Sequence, residues 1–195
     1  MACRVLPGPG GGAAWAGPLS SRPMFKTWFR RRARPRLQVL MVCTGNLCRS
    51  PMAEAVLRSK LALAGLDGVV AVDSAGTHGF ARSTRPDPRA VAQAHRRGYS
   101  LAGQKSRPLH MNDFQVFDLV LAMDRRNLAI LQERCPTEQQ HRLALLLPFD
   151  KAARTDEVPD HYFGSVDGFD AALDLIEPAC DAVLADLQRR LGFAR

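Results

Sequence analysis

The chain has 195 residues, 46% of them apolar and 24% charged. That is the size and balance of one globular domain, or of one domain with a tail, able to bury a core without disulfide or metal staples. No apolar run approaches the ~18–20 residues of a membrane-spanning helix, so no membrane span is expected. The formal charge of +8 is unevenly placed: residues 1–40 hold eight basic side chains (Arg4, Arg22, Lys26, Arg30, Arg31, Arg32, Arg34 and Arg36) and no acidic one, whereas nineteen basic and nineteen acidic groups balance in residues 41–195. The basicity therefore belongs to the N-terminal segment, and no nucleic acid is expected as a partner of the folded body.

Residues 1–36 read as a basic, disordered extension. Gly8, Gly10, Gly11 and Gly12 crowd with Pro7 and Pro9, and neither a helical nor a strand period is present. Ala13–Leu19 is too short and broken for a secretory signal, and its arginines follow it instead of preceding it. An acid-free, arginine-rich start also fits a mitochondrial transit peptide, although the glycines and prolines oppose an amphipathic helix. The run from Arg30 to Arg36 suits anionic lipid or nucleic acid, and Met24 is an alternative first residue. The five cysteines (Cys3, Cys43, Cys48, Cys135, Cys180) are odd in number and scattered, which points to free thiols in a reducing, cytoplasmic compartment.

From Leu37 onward the pattern alternates strands and helices. Leu37–Val42 is an almost continuous apolar run, as in a strand buried on both faces. A helix follows, with Ser50 as expected N-cap, Pro51 in its first turn, Met52, Ala55, Val56 and Leu63 as its apolar positions, and Gly65 closing it. Val69–Val72 is a second strand, Pro88–Arg97 a helix stopped by Gly98, Phe117–Met123 a third strand, Arg125–Arg134 a helix and Leu143–Leu147 a fourth strand. A long helix over 168–191 carries Leu173, Ile176, Cys180, Val183, Leu184, Leu187 and Leu191 on one face. The alternation predicts an α/β three-layer sandwich with a mostly parallel four-stranded sheet. Ligands of such sheets bind beyond the carboxyl ends of the strands, which directs attention to the residues after Val42.

Those residues are Cys43-Thr44-Gly45-Asn46-Leu47-Cys48-Arg49-Ser50-Pro51. They spell an anion cradle. Gly45 and Asn46 tolerate the positive φ that turns backbone N–H groups inward. The following helix adds the positive end of its dipole, and Arg49 offers a planar fork for two phosphoryl oxygens. A thiol in such a field ionises more readily than in water and is placed as a nucleophile. No second cysteine pair or nearby histidine completes a zinc site around Cys43 and Cys48, and the glycine and lysine of a nucleotide phosphate loop are absent.

With these residues in place, 37–193 resembles the low-molecular-weight protein tyrosine phosphatase family, and the phosphatase domain is expected over 37–195. The matching stretches are Val42–Ala55, Asp73–Thr77, Pro86–Ala90, Phe117–Asp124 and Val158–Ser165. The resemblance implies that Cys43 is the nucleophile of a phosphocysteine intermediate, that Arg49 binds phosphate, that Ser50 hydrogen-bonds the thiolate and that Asn46 holds the loop in shape. It assigns Thr44, Gly45, Asn46, Leu47, Cys48 and Ser50 to the phosphate-binding loop, and it implies no metal or organic cofactor. It also implies a phosphotyrosine protein as partner, in bacterial relatives often a tyrosine autokinase that controls exopolysaccharide export.

The leaving oxygen needs a proton and the hydrolytic water a base, tasks that one carboxyl can perform in turn. Asp160 fills the family's acid position, although Asp156, Glu157 and Asp167 are also in this region. His161 stands where the family usually has proline, which loosens the loop. A titrating imidazole there would tie activity to pH near ~6.5, unless the change is a neutral one on an exposed loop. Within Gly98–Pro108 relatives often carry a histidine that supports the phosphate loop, whereas this chain shows Gly103-Gln104. Tyr162 and Phe163 occupy the family's pocket-wall positions, and Phe80 is expected opposite them, giving the aromatic slot that a phosphotyrosine ring requires. Thr44, directly after the nucleophile, also occurs in the protein-arginine phosphatases of this family, the runner-up activity. A thioredoxin-linked arsenate reductase is a weaker alternative, because its relay of closely spaced cysteines is missing: Cys135 and Cys180 are far apart. Cys48 is further expected to form a reversible disulfide with Cys43 under peroxide.

Overall fold

The computed structural model describes residues 35–78, 83–162 and 166–193. The expected extension, residues 1–36, lies outside the described residues except for Pro35 and Arg36. Arg36 belongs with the domain, since its N–H donates to the carbonyl of Val69 at 2.7 Å.

Four strands, β1 (Leu37–Cys43), β2 (Val70–Gly76), β3 (Leu119–Ala122) and β4 (Leu143–Leu145), form one sheet in the order β2-β1-β3-β4, all parallel. Val39 pairs with Val72 on one side and Leu119 on the other. Because successive side chains of a strand face opposite ways, the apolar run of β1 feeds two cores. Val39, Met41 and Cys43 enter one, with residues of α1 (Arg49–Leu63), α2 (Pro88–Arg96) and α5 (Val166–Leu191). Leu40 and Val42 enter the other, with Phe114 of the one-turn helix α3 (Asp113–Val116) and Leu131 of α4 (Arg125–Arg134). This is the expected three-layer α/β sandwich. Among the described residues no helix is long and apolar enough to cross a membrane.

Most expected elements are present, with shifts at their ends. β2 runs on to Gly76, four residues further than the apolar run suggested, because Ala75 and Gly76 stay in register with Val42 and Cys43. β4 is three residues long, and Leu147–Phe149 turns as a short 3-10 helix around Pro148. α3 and the 3-10 turn Thr137–Arg142 carry too few residues to show a period. Two expectations for α1 fail. The helix starts at Arg49 with Cys48 at the cap position and no side-chain cap, since the Ser50 hydroxyl is turned inward. Leu63 is 87% exposed, and Leu61 takes the buried place in the last turn.

The connections place the site. From β1 the chain goes to β2 on one flank, and from β2 it crosses to β3 on the other. The carboxyl ends of β1 and β3 thus flank the switch point at which open sheets of this kind bind ligands.

Candidate active site

Cys43 ends β1, and the segment 44–48 loops back to the first turn of α1. The thiol Sγ accepts the Ser50 hydroxyl at 3.0 Å and the Asn46 N–H at 3.3 Å. These contacts stabilise negative charge on sulfur, and the N-terminus of α1 faces the same point.

The loop is held from beneath by one asparagine. Asn46 has φ +53°, the one positive value at a non-glycine position among the described residues. Its amide donates to Ser50 Oγ at 3.0 Å and Ser74 Oγ at 2.8 Å, and its carbonyl accepts the Arg107 N–H at 2.9 Å. Ser74 in turn donates to Glu54 Oε2 at 2.5 Å. Gly45 does not take the positive φ expected of it; the side-chain bonds of Asn46 carry the left-handed turn instead. Gln104 donates to the Pro51 carbonyl at 3.2 Å, so it touches the first turn of α1, while the loop itself rests on Asn46, Ser74 and Arg107.

The end of β2 straps the loop from the side. Thr77 N–H donates to the Cys43 carbonyl and His78 N–H to that of Thr44, both at 2.9 Å. A Cβ on Gly76 would lie 2.8 Å from Thr44 O and 3.0 Å from the carbonyl carbon of Gly45. Glycine is what lets the two backbones meet here.

Arg49 is buried, and its guanidinium is shared by two carboxylates. Nη1 donates to Asp124 at 2.6 Å and to the Val158 carbonyl at 3.1 Å; Nη2 donates to Asp160 at 2.6 Å and to Thr44 Oγ1 at 3.3 Å. Asp124 leaves the carboxyl end of β3 and also caps α4, accepting the Asn127 N–H at 2.6 Å. The Asn127 amide is best oriented with its NH2 on Asp124 and its oxygen accepting from Thr44 Oγ1 at 3.2 Å. Val158 N–H donates to the Met123 carbonyl, which pins the segment before Asp160 to the end of β3.

A cavity of about 170 Å³ is lined by Cys43, Thr44, Gly45, Leu47, Cys48, Arg49, Asp160 and Tyr162. Of the four acids weighed for proton transfer, only Asp160 lines it. Asp156 is paired with Arg125, Glu157 accepts the Arg125 N–H at 2.7 Å, and Asp167 is exposed. Tyr162 is 39% exposed at the cavity. Phe80 and Phe163 lie outside the described residues. Burial, with the negative neighbours Asp87, Cys43 and Asp160, pushes the Cys48 thiol up to about 12. Burial likewise holds the Glu54 carboxyl above the usual range, and the Arg89 side chain holds Asp87 below it. Cys135 and Cys180 belong to cores on opposite faces of the sheet.

Asp124, Ser74, Glu54, Asn127 and Arg107 were not singled out from sequence. For Asp124 a signal exists: an aspartate at the carboxyl end of a two-face apolar strand, directly before a helix, is both an N-cap and a lining residue of the switch point.

A parallel sheet with a cysteine-to-arginine anion cradle after its first strand, opposed by an aspartate loop, is an arrangement suited to a phosphatase. Residues 38–192 match the family model described as low molecular weight phosphotyrosine protein phosphatase. The chain is 40% identical over 157 residues to the low molecular weight protein-tyrosine-phosphatase of Streptomyces coelicolor, covering 79% of this chain and 95% of that one. Its fold resembles the crystal structure of a low molecular weight phosphotyrosine phosphatase from Vibrio cholerae O395 (39% identity, TM-score 0.74, 79% and 98% covered). It also resembles the YwlE arginine phosphatase from Geobacillus stearothermophilus (30% identity, TM-score 0.70, 82% and 98% covered). The chain belongs to the low molecular weight phosphotyrosine protein phosphatase family, and is a hydrolase acting on phosphoproteins.

Proposed function

We propose that the chain hydrolyses phosphotyrosine in proteins through a phosphocysteine intermediate on Cys43. The observation that carries this is the Cys43 sulfur held by Ser50 and Asn46 at the cavity that Arg49 and Asp160 also line. The Cys43 thiolate attacks phosphorus in line, forming the S–P bond as the P–O bond to the aryl group breaks, and Asp160 gives its proton to the departing oxygen. Asp160 then takes a proton from water, which attacks phosphorus; the S–P bond breaks and phosphate leaves. Arg49 and the N–H groups of residues 44–49 bind the non-bridging oxygens throughout. An entering phosphoryl group competes with Asp160 for Nη2 of Arg49, which frees the carboxyl for the leaving oxygen.

The catalytic unit in this reading is residues 37–195, with 1–36 a basic extension. Tyr162 forms one wall of the aromatic slot, and Phe80 and Phe163 are its proposed partners. Free thiols suit a cytoplasmic setting, and a tyrosine autokinase is a fitting substrate. Cys48 is the proposed resolving thiol: peroxide converts the Cys43 thiolate to a sulfenic acid, and condensation with the Cys48 thiol forms the disulfide and releases water.

A second reading, protein-arginine phosphatase, rests on Thr44, exposed at the cavity and in contact with Arg49. The test is phosphate release from phosphotyrosine, phosphoserine and phosphoarginine peptides in the presence of chelator. Release from phosphotyrosine alone, abolished by Cys43→Ser and slowed by Asp160→Asn, supports the first reading. A preference for phosphoarginine overturns the substrate and keeps the cradle chemistry. An arsenate reductase would show arsenite formation with thioredoxin instead.

A further inference from the structure

Asp160 sits on a segment between two anchors. Val158 fixes it to β3 on one side, and α5 resumes on the other. Its carboxylate is held by Arg49 on Oδ2 and by the Tyr162 N–H on Oδ1 at 3.2 Å. The orientation of the acid therefore depends on the backbone of Tyr162.

That backbone is gripped by Arg89, in the first turn of α2. Its Nη2 donates to the Tyr162 carbonyl at 2.9 Å. The guanidinium carbon lies 4.9 Å from the centre of the Phe169 ring on α5 and 5.8 Å from that of Tyr162, within reach of cation–π attraction from both. The group is aimed by Asp87, whose carboxylate takes Nε at 3.1 Å and Nη2 at 2.9 Å in a two-pronged pair. Asp87 itself caps α2, accepting the Arg89 N–H at 2.8 Å, and its own N–H donates to the Leu47 carbonyl in the phosphate loop at 2.9 Å. The contacts close a ring: Leu47, Asp87, Arg89, Tyr162, Asp160, Arg49 and back along the loop. The cradle and the acid segment are thus tied together by a residue that does not line the cavity.

We propose that Arg89 is a positioning residue for the proton-transfer step, fixing the Asp160 carboxyl over the phosphate loop through Tyr162. The proposal rests on the phosphatase reading above. A planar, five-donor group is suited to this place because it makes the Asp87 fork, the Tyr162 carbonyl bond and the ring stacking together; lysine retains the charge and one bond.

The test uses the full chain and two aryl phosphates, 4-nitrophenyl phosphate, whose phenolate leaves without help, and phenyl phosphate, whose phenolate needs a proton. kcat/KM is read because it reports the steps through departure of the phenol. Arg89→Ala is expected to lower kcat/KM about tenfold on phenyl phosphate and less than twofold on 4-nitrophenyl phosphate. Asp160→Asn gives the same signature more steeply, and Arg89→Lys falls between wild type and alanine. Inhibition by inorganic phosphate, which reads the cradle alone, stays within twofold. Equal losses on both esters, or none, overturn the positioning role, and the lysine variant decides if alanine fails to fold. Failure of the wild-type chain to cleave either ester, or full activity in Cys43→Ser, overturns the phosphatase reading and the role of Arg89 with it.

Discussion

The Asn46 amide donates to the Ser74 hydroxyl at 2.8 Å while Asn46 itself holds φ +53°. The bond joins the phosphate loop to the edge strand β2 beside it, and it offsets a backbone conformation that L-residues other than asparagine and aspartate rarely adopt. Asn46→Ala loses the bonds to Ser50, Ser74 and Arg107 and leaves the strain in place. Leaving buried polar groups unpaired costs about 1–3 kcal/mol each at most, so a loss of about 2–4 kcal/mol in urea unfolding is expected. Asn46→Gly relieves the strain alone and should recover only about 1 kcal/mol of it. Phosphate release should fall at least tenfold in both variants; full recovery in the glycine variant would show that the side-chain bonds contribute little.

Gly76→Ala tests the strap between β2 and the loop. Its new methyl would meet backbone atoms of Thr44 and Gly45 and not a movable side-chain end. Overpacking of this kind costs about 1–3 kcal/mol, and displacement of the loop by a fraction of an ångström weakens binding of the phosphoryl group. Inorganic phosphate should inhibit the variant at least fivefold less well, measured against 4-nitrophenyl phosphate. An unchanged inhibition constant would mean that the loop is not held by this approach.

The sheet and the cradle were legible because each rests on local residue chemistry. β1 and β3 read as two-face runs, and a strand-ending cysteine with glycine, asparagine, arginine and Ser-Pro after it has few other physical uses. α1 resisted the same treatment. Its first nine residues, Arg49–Leu57, are all buried, polar and charged ones included, so its apolar spacing does not mark a face. Ser50 looks like a cap by position, yet its hydroxyl serves the Cys43 sulfur. Glu54 was invisible for a related reason: what makes it important is a partner 20 residues away, and spacing along the chain carries no trace of it. For Asp124 only the place between strand and helix is written in the sequence, while its pairing with Arg49, 75 residues away, is not.

Glu54 gives a pH-dependent expectation. It lies buried beneath the loop with Ser74 on Oε2 and Arg58 on Oε1 at 2.9 Å, yet burial outweighs both and raises its value in the folded chain above the ordinary 4.5. The native state then holds the proton more tightly than the unfolded chain does. Its contribution to stability is complete below about 4.5 and is lost as the pH rises through the raised folded value. Glu54→Gln cannot titrate, so the stability of wild type relative to this variant should decline with rising pH and then level off. Urea midpoints of both proteins from pH 4 to pH 8 check this. A difference that grows with pH would mean that Ser74 and Arg58 outweigh burial.

His161 and Gly168 supply the last prediction. The imidazole packs so closely on α5 that a Cβ at Gly168 would fall 2.5 Å from His161 Cγ and 2.6 Å from its Cβ. In an unobstructed helix interior, alanine for glycine stabilises by about 1 kcal/mol. Here the methyl must push His161, and with it the neighbouring Asp160, away from the helix. Gly168→Ala should therefore lower kcat/KM on phenyl phosphate several-fold while inhibition by inorganic phosphate is kept, since the cradle is not touched. His161→Gly removes both the obstructing ring and its Cβ, and in that background Gly168→Ala should become stabilising and lose most of its effect on rate. A double-mutant cycle measures this directly, because residues in contact depart from additivity by about 0.5–3 kcal/mol. Strict additivity would mean that the histidine moves aside without shifting Asp160, and that its place beside the acid is incidental to catalysis.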